Sequence, residues 1–317
     1  MESIAVVINA GAGQGHGRER AEQVATACER VGLRAHIELA GDGAQVARAV
    51  RAALDRGARV VVAGGGDGTL NQVVDALHAD PRGAQAVFGV LPMGTLNHFA
   101  KDLGIPLELE QAVQVLKDGR IEEVDTAEVN GNTFLNNSSI GLYPDIVHER
   151  ERQQARLGRG KWSAFFWACL AALRRYPFHT VRLQVDGAEL VRSTPFVFVG
   201  NNDYDFSGLD IGARHRLDRG ELCVWVAHRT GRLGPFWFAL VALFGQLHRV
   251  HGLDRLRSDQ LRIETAPRRL RVSTDGEVTE LDTPLHYRSR PRSLRVLVPA
   301  QAEAQAPQPQ AQKEPNP

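Results

Sequence analysis

Residues 64–71 read Gly-Gly-Gly-Asp-Gly-Thr-Leu-Asn, directly after the apolar run Val60-Val61-Val62-Ala63. A strand that ends in glycines and turns into a helix can cradle a phosphate. Glycine lets the backbone take positive φ and come close to a ligand. The start of the helix offers free N–H groups and a positive dipole end to an anion. Thr69 can bond a phosphate oxygen or cap the helix. Asp67 is the odd member, because a carboxylate repels phosphate. It fits if Mg²⁺ lies between them, or if it accepts a hydrogen bond from a ribose or a backbone amide. A tight turn with a capping Asp would use the same residues.

Two further turns favour a ligand. Asn9 to Gly17 (NAGAGQGHG) follows the first apolar run, and Leu91 to Phe99 (LPMGTLNHF) carries Gly94, Thr95 and Asn97 after another. In a parallel sheet, three strand ends of this kind line one edge, where ligands bind. That makes a nucleotide cleft the better account of Asn9, Gly65, Gly66, Asp67, Gly68, Thr69, Thr95 and Asn97. The chain lacks G-x-x-x-x-G-K-[ST], so this is not a Walker-type loop.

The elements around these turns suit that placement. Residues 4–10, 34–40, 59–64 and 86–94 are short, β-branched or apolar runs that predict strands. Between them, 18–31, 45–56 and 70–77 carry helical spacing, and a helix starts at about 97. Strict alternation of strand and helix implies crossover connections, a parallel sheet and a three-layer α/β domain over residues 1–128. From about 129 the pattern becomes strand runs separated by turn signals such as Asn130-Gly131 and Asp186-Gly187, which predicts a mostly antiparallel β-sandwich over 129–300. The last strand is free to return to the first domain. Helical inserts are expected at about 146–176 and 233–248. The Ala, Gln and Pro tail of 301–317 is expected to be disordered.

Of 317 residues, 38 are Lys or Arg and 37 are Asp or Glu, a formal net charge of +1. A nucleic-acid partner is not expected from so balanced a chain. Three well-separated cysteines, Cys28, Cys169 and Cys223, suit a reduced compartment. Because the sequence opens on an apolar, strand-like run, no signal peptide is expected. The apolar runs from Trp162 and from Pro235 fall short of the roughly 20 residues that span a bilayer. A cytoplasmic protein is expected.

The paired stretches GGGDGTLNQVV and LPMGTLNHFAKDLGIP resemble the diacylglycerol kinase catalytic-domain family, which includes soluble bacterial lipid kinases and the sphingosine and ceramide kinases. The resemblance extends to about Pro299. It implies an ATP and Mg²⁺ site in a cleft between an α/β domain and a β-sandwich. By resemblance Gly65 to Thr69 and Asn71 bind the ATP phosphates and their metal, and Thr95 and Asn9 are further nucleotide contacts. Glu277, in the turn Asp275-Gly276-Glu277, matches the family's catalytic base, with Asp275 its neighbour; without the resemblance the turn reads as a hairpin. Asp125 resembles an acid that joins Asp67 in the metal–water network, and a strand-end acid capping a turn fits it equally well.

The chain departs from the family pattern in places. Ala10 and Gln14 stand where proline and a basic residue are usual, and His98 replaces an acid. Arg219 replaces a carboxylate that holds a structural Mg²⁺ in bacterial members, so no such ion is expected here. The resemblance implies a phosphotransferase acting on a diacylglycerol-like or sphingoid lipid at the membrane surface. The apolar runs 162–173 and 236–244, with basic neighbours, are expected to pack in the core and touch lipid at their ends; a homodimer is allowed. The rivals are an NAD kinase-like enzyme, which would normally carry an Asn-Glu dipeptide absent here, and a catalytically silent nucleotide- or lipid-binding protein.

Overall fold

A computed structural model describes residues 3–10, 17–141, 179–185, 187–204, 214, 216–227 and 253–300. The inserts expected at 146–176 and 233–248, the apolar runs within them, Gln14 and the tail from 301 lie outside the described residues.

The first four apolar runs form strands Ser3–Asn9 (β1), Arg34–Ala40 (β2), Val60–Gly65 (β3) and Val87–Pro92 (β4), side by side and parallel in the order β2-β1-β3-β4. The two central ones, β1 and β3, are buried along almost their whole length, which is why they read as unbroken apolar runs. The helices are Gly17–Arg30 (α1), Gly43–Asp55 (α2), Asp67–His78 (α3), His98–Asp102 (α4) and Leu109–Asp118 (α5). α1 packs with α5 and α2 with α3, covering the sheet in three layers. Two boundaries differ from the sequence expectation. α3 begins at Asp67 rather than 70, inside the glycine motif. α5, which buries Ala112, Val113 and Leu116, was not expected at all.

The rest is antiparallel. Arg120–Val129 (β5) turns through Asn130 and Gly131, both at positive φ, into Asn132–Phe134 (β6), as the Asn-Gly signal predicts. There follow Asn137–Gly141 (β7), His179–Val185 (β8), Ala188–Thr194 (β9), Phe196–Asn201 (β10) and Leu222–Ala227 (β11). Leu253–Ser258 (β12), Gln260–Thr265 (β13), Arg269–Thr274 (β14), Glu277–Asp282 (β15) and Leu285–Val298 (β16) complete them. One sheet runs β12-β11-β10-β7-β14-β15, all antiparallel. It faces the β16-β13-β8-β9 part of the larger sheet across a core that includes Phe134, Ile140, Val199, Leu261, Val272 and Tyr287.

β16 joins the two cores. Its first half pairs with β13, and its second half reaches β4 in parallel at Val296 and Phe88. β5 pairs with it along both halves, with a break in register between Arg290 and Leu294, where Arg292 takes φ 48°. The GGDGT motif and the Asp-Gly-Glu turn, 209 residues apart from Gly68 to Glu277, are brought together across this junction.

Candidate active site

Three strand-end turns meet as the alternating pattern requires. The Asn9 amide at the end of β1 donates to Thr69 Oγ1 at 3.2 Å. Thr69 folds back over the end of β3, so that a Cβ on Gly65 would lie 2.5 Å from its Oγ1. The second and third turns touch back to back: a Cβ on Gly94 would lie 2.5 Å from the Gly66 Cα. Gly65, Gly66, Gly68 and Gly94 all have ordinary φ, so of the two uses expected of glycine here positive φ is not the one seen. Backbone, Thr69 and a carboxylate crowd against these positions and leave no room for a Cβ. Asn71 is buried in α3, and its Oδ1 has no hydrogen-bond partner among the described residues. Thr95 is exposed on the third turn.

Asp67 opens α3 and reaches across to the third turn. Its Oδ1 accepts from Phe99 N at 3.1 Å and from the Asn136 amide at 3.3 Å, and its Oδ2 accepts from His98 N at 3.2 Å. Of the roles open to it, acceptance from backbone amides is the one seen here. His98, which replaces an acid in the family pattern, is exposed and contributes its backbone.

The Asp-Gly-Glu segment is a two-residue hairpin turn, with Asp275 at φ 48° and Gly276 at φ 88°. It also delivers Glu277 to the glycine motif. A Cβ on Gly68 would lie 2.6 Å from Glu277 Oε1, so the carboxylate rests directly on the start of α3. The Gln72 amide, one turn along that helix, donates to Oε1 at 3.0 Å and reaches Oε2 at 3.3 Å. Desolvation by burial raises the Glu277 pKa, and the Gln72 bond pulls against it.

Three expected site residues are spent elsewhere. Asn97 accepts from Gly94 N at 2.9 Å and donates to Gly94 O at 3.0 Å, so both ends of its amide staple the third turn rather than face a nucleotide. Asp275 accepts from the backbone amides of Leu135, Asn136 and Asn137 at 2.7, 2.8 and 3.1 Å. Burial pushes its carboxyl up to about 6, against those amides and the Arg214 charge. It holds the loop before β7 and leaves Glu277 as the carboxylate at the cleft. Asp125 is fully buried; its oxygens accept from Gly220 N at 2.6 Å and Arg292 N at 2.8 Å, while its own N–H donates to Leu217 O. That is the turn-capping alternative, applied to the bulge of β16 and the segment before β11.

Near Asp125, Asp218 receives two hydrogen bonds from Arg216, and Arg219 turns outward beside Glu221. A buried polar network was missed from the sequence. Arg214 reaches Asp102 in α4, the Leu135 and Asn201 carbonyls, and Asn136. Its partners lie up to 112 residues away, and nothing in the local Arg-rich sequence sets it apart.

Residues 3–129 match the family model for the diacylglycerol kinase catalytic domain, and residues 142–298 match the model for the YegS C-terminal NAD kinase beta sandwich-like domain. Residues 3–129 therefore belong to the diacylglycerol kinase catalytic-domain family. Within it, the chain is 35% identical over 148 residues to "Probable lipid kinase YegS-like" of Enterobacter sp. (strain 638), covering 46% of this chain and 50% of that one. The protein of the same name from Yersinia pestis (strain Pestoides F) is 37% identical over 129 residues, covering 40% and 44%. The chain thus spans about half the length of the curated relatives it matches. The fold is shared with a solved diacylglycerol kinase from Bacillus anthracis str. Sterne, at TM-score 0.70 and 22% identity over 94% of this chain and 97% of that one.

The family resemblance implies a Mg²⁺ ion with the nucleotide. No group of three or more His, Cys, Asp or Glu able to hold a metal occurs among the described residues. Mg²⁺ beside a nucleotide needs only one or two carboxylates, with phosphate oxygens and water completing its shell. Asp67 fits that arrangement. It is only partly buried, and its three N–H donors leave part of the four lone-pair positions of a carboxylate open. Asp125 does not fit, since it is sealed from solvent with both oxygens engaged.

Proposed function

We propose that the chain is an ATP- and Mg²⁺-dependent lipid kinase that transfers the γ-phosphate to a hydroxyl of a diacylglycerol-like or sphingoid lipid. One observation carries this: the Glu277 carboxylate, from the β-sandwich, rests on Gly68 at the start of the helix that follows the glycine turn. A proton acceptor therefore lies directly against an anion cradle.

The chemistry follows from that pairing. The backbone amides at the start of α3 receive the phosphates, with Gly65, Gly66 and Gly68 keeping side chains out of the way. Thr69, Asn71, Asn9 and Thr95 surround them. The lipid hydroxyl oxygen bonds to the γ-phosphorus, the bond from phosphorus to the ADP oxygen breaks, and the hydroxyl proton passes to Glu277. Phosphoryl transfer asks little more of a protein than positioning, a proton acceptor and charge stabilisation. Asp67 would hold the Mg²⁺, which when bound neutralises phosphate charge. A carboxyl whose pKa is raised by desolvation is a stronger base once ionised, which suits Glu277 to the task.

The substrate resides in a membrane, so the protein works at its surface, from the cytoplasm. No described helix is long and apolar enough to cross a membrane. Every residue named comes from one chain, and a homodimer is compatible with that. Incubation with γ-labelled ATP and a panel of diacylglycerol, sphingoid base and NAD tests the proposal. Label is expected in a lipid. Label in NAD alone would favour the rival enzyme, and no transfer to any acceptor would leave a binding protein.

A further inference from the structure

We propose that Arg214 is a positioning residue for Asp67, acting through the side-chain amide of Asn136. The inference rests on Asp67 belonging to the ATP site, and it assigns a part in that site to two residues outside the three glycine-bearing turns.

An Asn amide has a donating end and an accepting end. Only the donating end can face a carboxylate favourably. Asn136 stands between Asp67 and Arg214, 3.3 Å from Asp67 Oδ1 on one side and 2.7 Å from an Arg214 terminal nitrogen on the other. A guanidinium has five donors and no acceptor. Arg214 therefore fixes which way the amide points: its N–H requires the Asn136 oxygen, and that leaves the Asn136 NH₂ to donate to Asp67.

Arg214 is itself held. Its side chain is 0% exposed, its Nε donates to Asp102 Oδ2 at 2.8 Å, and another nitrogen donates to the Leu135 and Asn201 carbonyls at 2.7 and 3.1 Å. A buried cation with this many partners has one orientation. Asp102 lies at the end of α4, whose first two amides are those that Asp67 accepts. The contacts close a ring: Asp67, α4, Asp102, Arg214, Asn136 and back to Asp67. The Asn136 backbone is pinned in turn by Asp275, in the same turn as Glu277. The ring thus fixes the phosphate-side carboxylate and ties it to the segment that carries the base.

The test measures binding of the non-hydrolysable analogue AMP-PNP, with Mg²⁺ and with EDTA, to folded protein well below its unfolding midpoint. Asn136→Ala keeps the backbone N–H that Asp275 uses and removes only the linking amide. It is expected to weaken Mg²⁺-dependent binding about tenfold, the worth of one hydrogen bond to a charged group. Arg214→Lys should weaken it to a similar degree, because a single ammonium cannot replace the guanidinium fork that holds Asp102, the two carbonyls and the Asn136 oxygen at once, and the linking amide loses its anchor. The double variant should bind no worse than Asn136→Ala alone, because both act through one bond. A purely structural role would move unfolding midpoints and leave the affinity of the folded protein unchanged.

Should Arg214→Lys fail to fold, Asn136→Ala decides. The inference is overturned if Asn136→Ala binds within twofold of wild type while Asp67→Ala is weak, or if the two losses multiply in the double variant. If Asp67→Ala itself binds as wild type does, the assignment of Asp67 to the ATP site falls, and this inference with it.

Discussion

Gly68→Ala probes the contact on which the chemistry depends. The added Cβ would lie 2.6 Å from Glu277 Oε1, 3.3 Å from Cδ and 3.4 Å from Cγ. Ordinary contact begins near 3.4 Å, so the carboxylate must retreat by about 0.8 Å. That movement strains or breaks its bonds to Gln72, now 3.0 and 3.3 Å. A displacement of that size at a reacting group costs up to about 10²-fold in turnover. Stability should change little, because the crowded atoms are the free end of a flexible side chain. Gly68 is helical with ordinary φ, and Ala is favoured over Gly there by up to about 1 kcal/mol. The expected outcome is a protein at least as stable as wild type with kcat reduced by a factor approaching 10², measured beside urea unfolding and the KM for ATP. Turnover within twofold of wild type would refute the reasoning, since the base would then tolerate displacement from the motif.

Other consequences can be checked separately. Glu277 works as a base only when ionised and its pKa is raised, so kcat should fall as pH drops through a value above the ordinary glutamate pKa of about 4.3. Gln72→Leu removes the bond favouring the ionised form and should move that limb to higher pH; a profile flat down to ordinary glutamate values would remove Glu277 from the role. Asp275→Asn offers one oxygen where three backbone amides now find a carboxylate, and should cost about 1–3 kcal/mol in urea unfolding. A chelator should not move the thermal midpoint of nucleotide-free protein, because Arg219 stands beside Glu221 and Asp218 is occupied by Arg216. A chelator-induced drop that disappears in Asp218→Asn would show a metal site there.

The fold was legible where one physical signal dominated. Unbroken apolar runs gave the central parallel strands β1 and β3, and Asn130-Gly131 marked its hairpin. α5 was not read, although Ala112, Val113 and Leu116 carry its buried face. In the site, the meeting of Asn9, Thr69 and Gly94 was legible because parallel strand ends share an edge. Which polar side chains stay available was not. Asn97, Asp125 and Asp275 are turn residues whose side chains serve nearby or distant backbone amides as readily as a ligand, and spacing alone does not separate the two uses. Of the two uses the sequence offered for the glycines, dihedral freedom and close approach, only crowding against them is seen. Arg214 was invisible because Asp102, Asn136 and Asn201 converge on it only in the folded chain.

The most direct test of the central claim is single-turnover transfer from γ-labelled ATP to diacylglycerol in vesicles, comparing wild type with Glu277→Gln. The substitution keeps the shape of the side chain on Gly68 and removes the proton acceptor. The prediction is label in the extracted lipid for wild type, about 10²-fold slower transfer or worse for Glu277→Gln, and equal affinity for Mg-ATP in both. Transfer at the wild-type rate by Glu277→Gln would contradict the account, because the chemistry would then proceed without the carboxylate that meets the glycine turn.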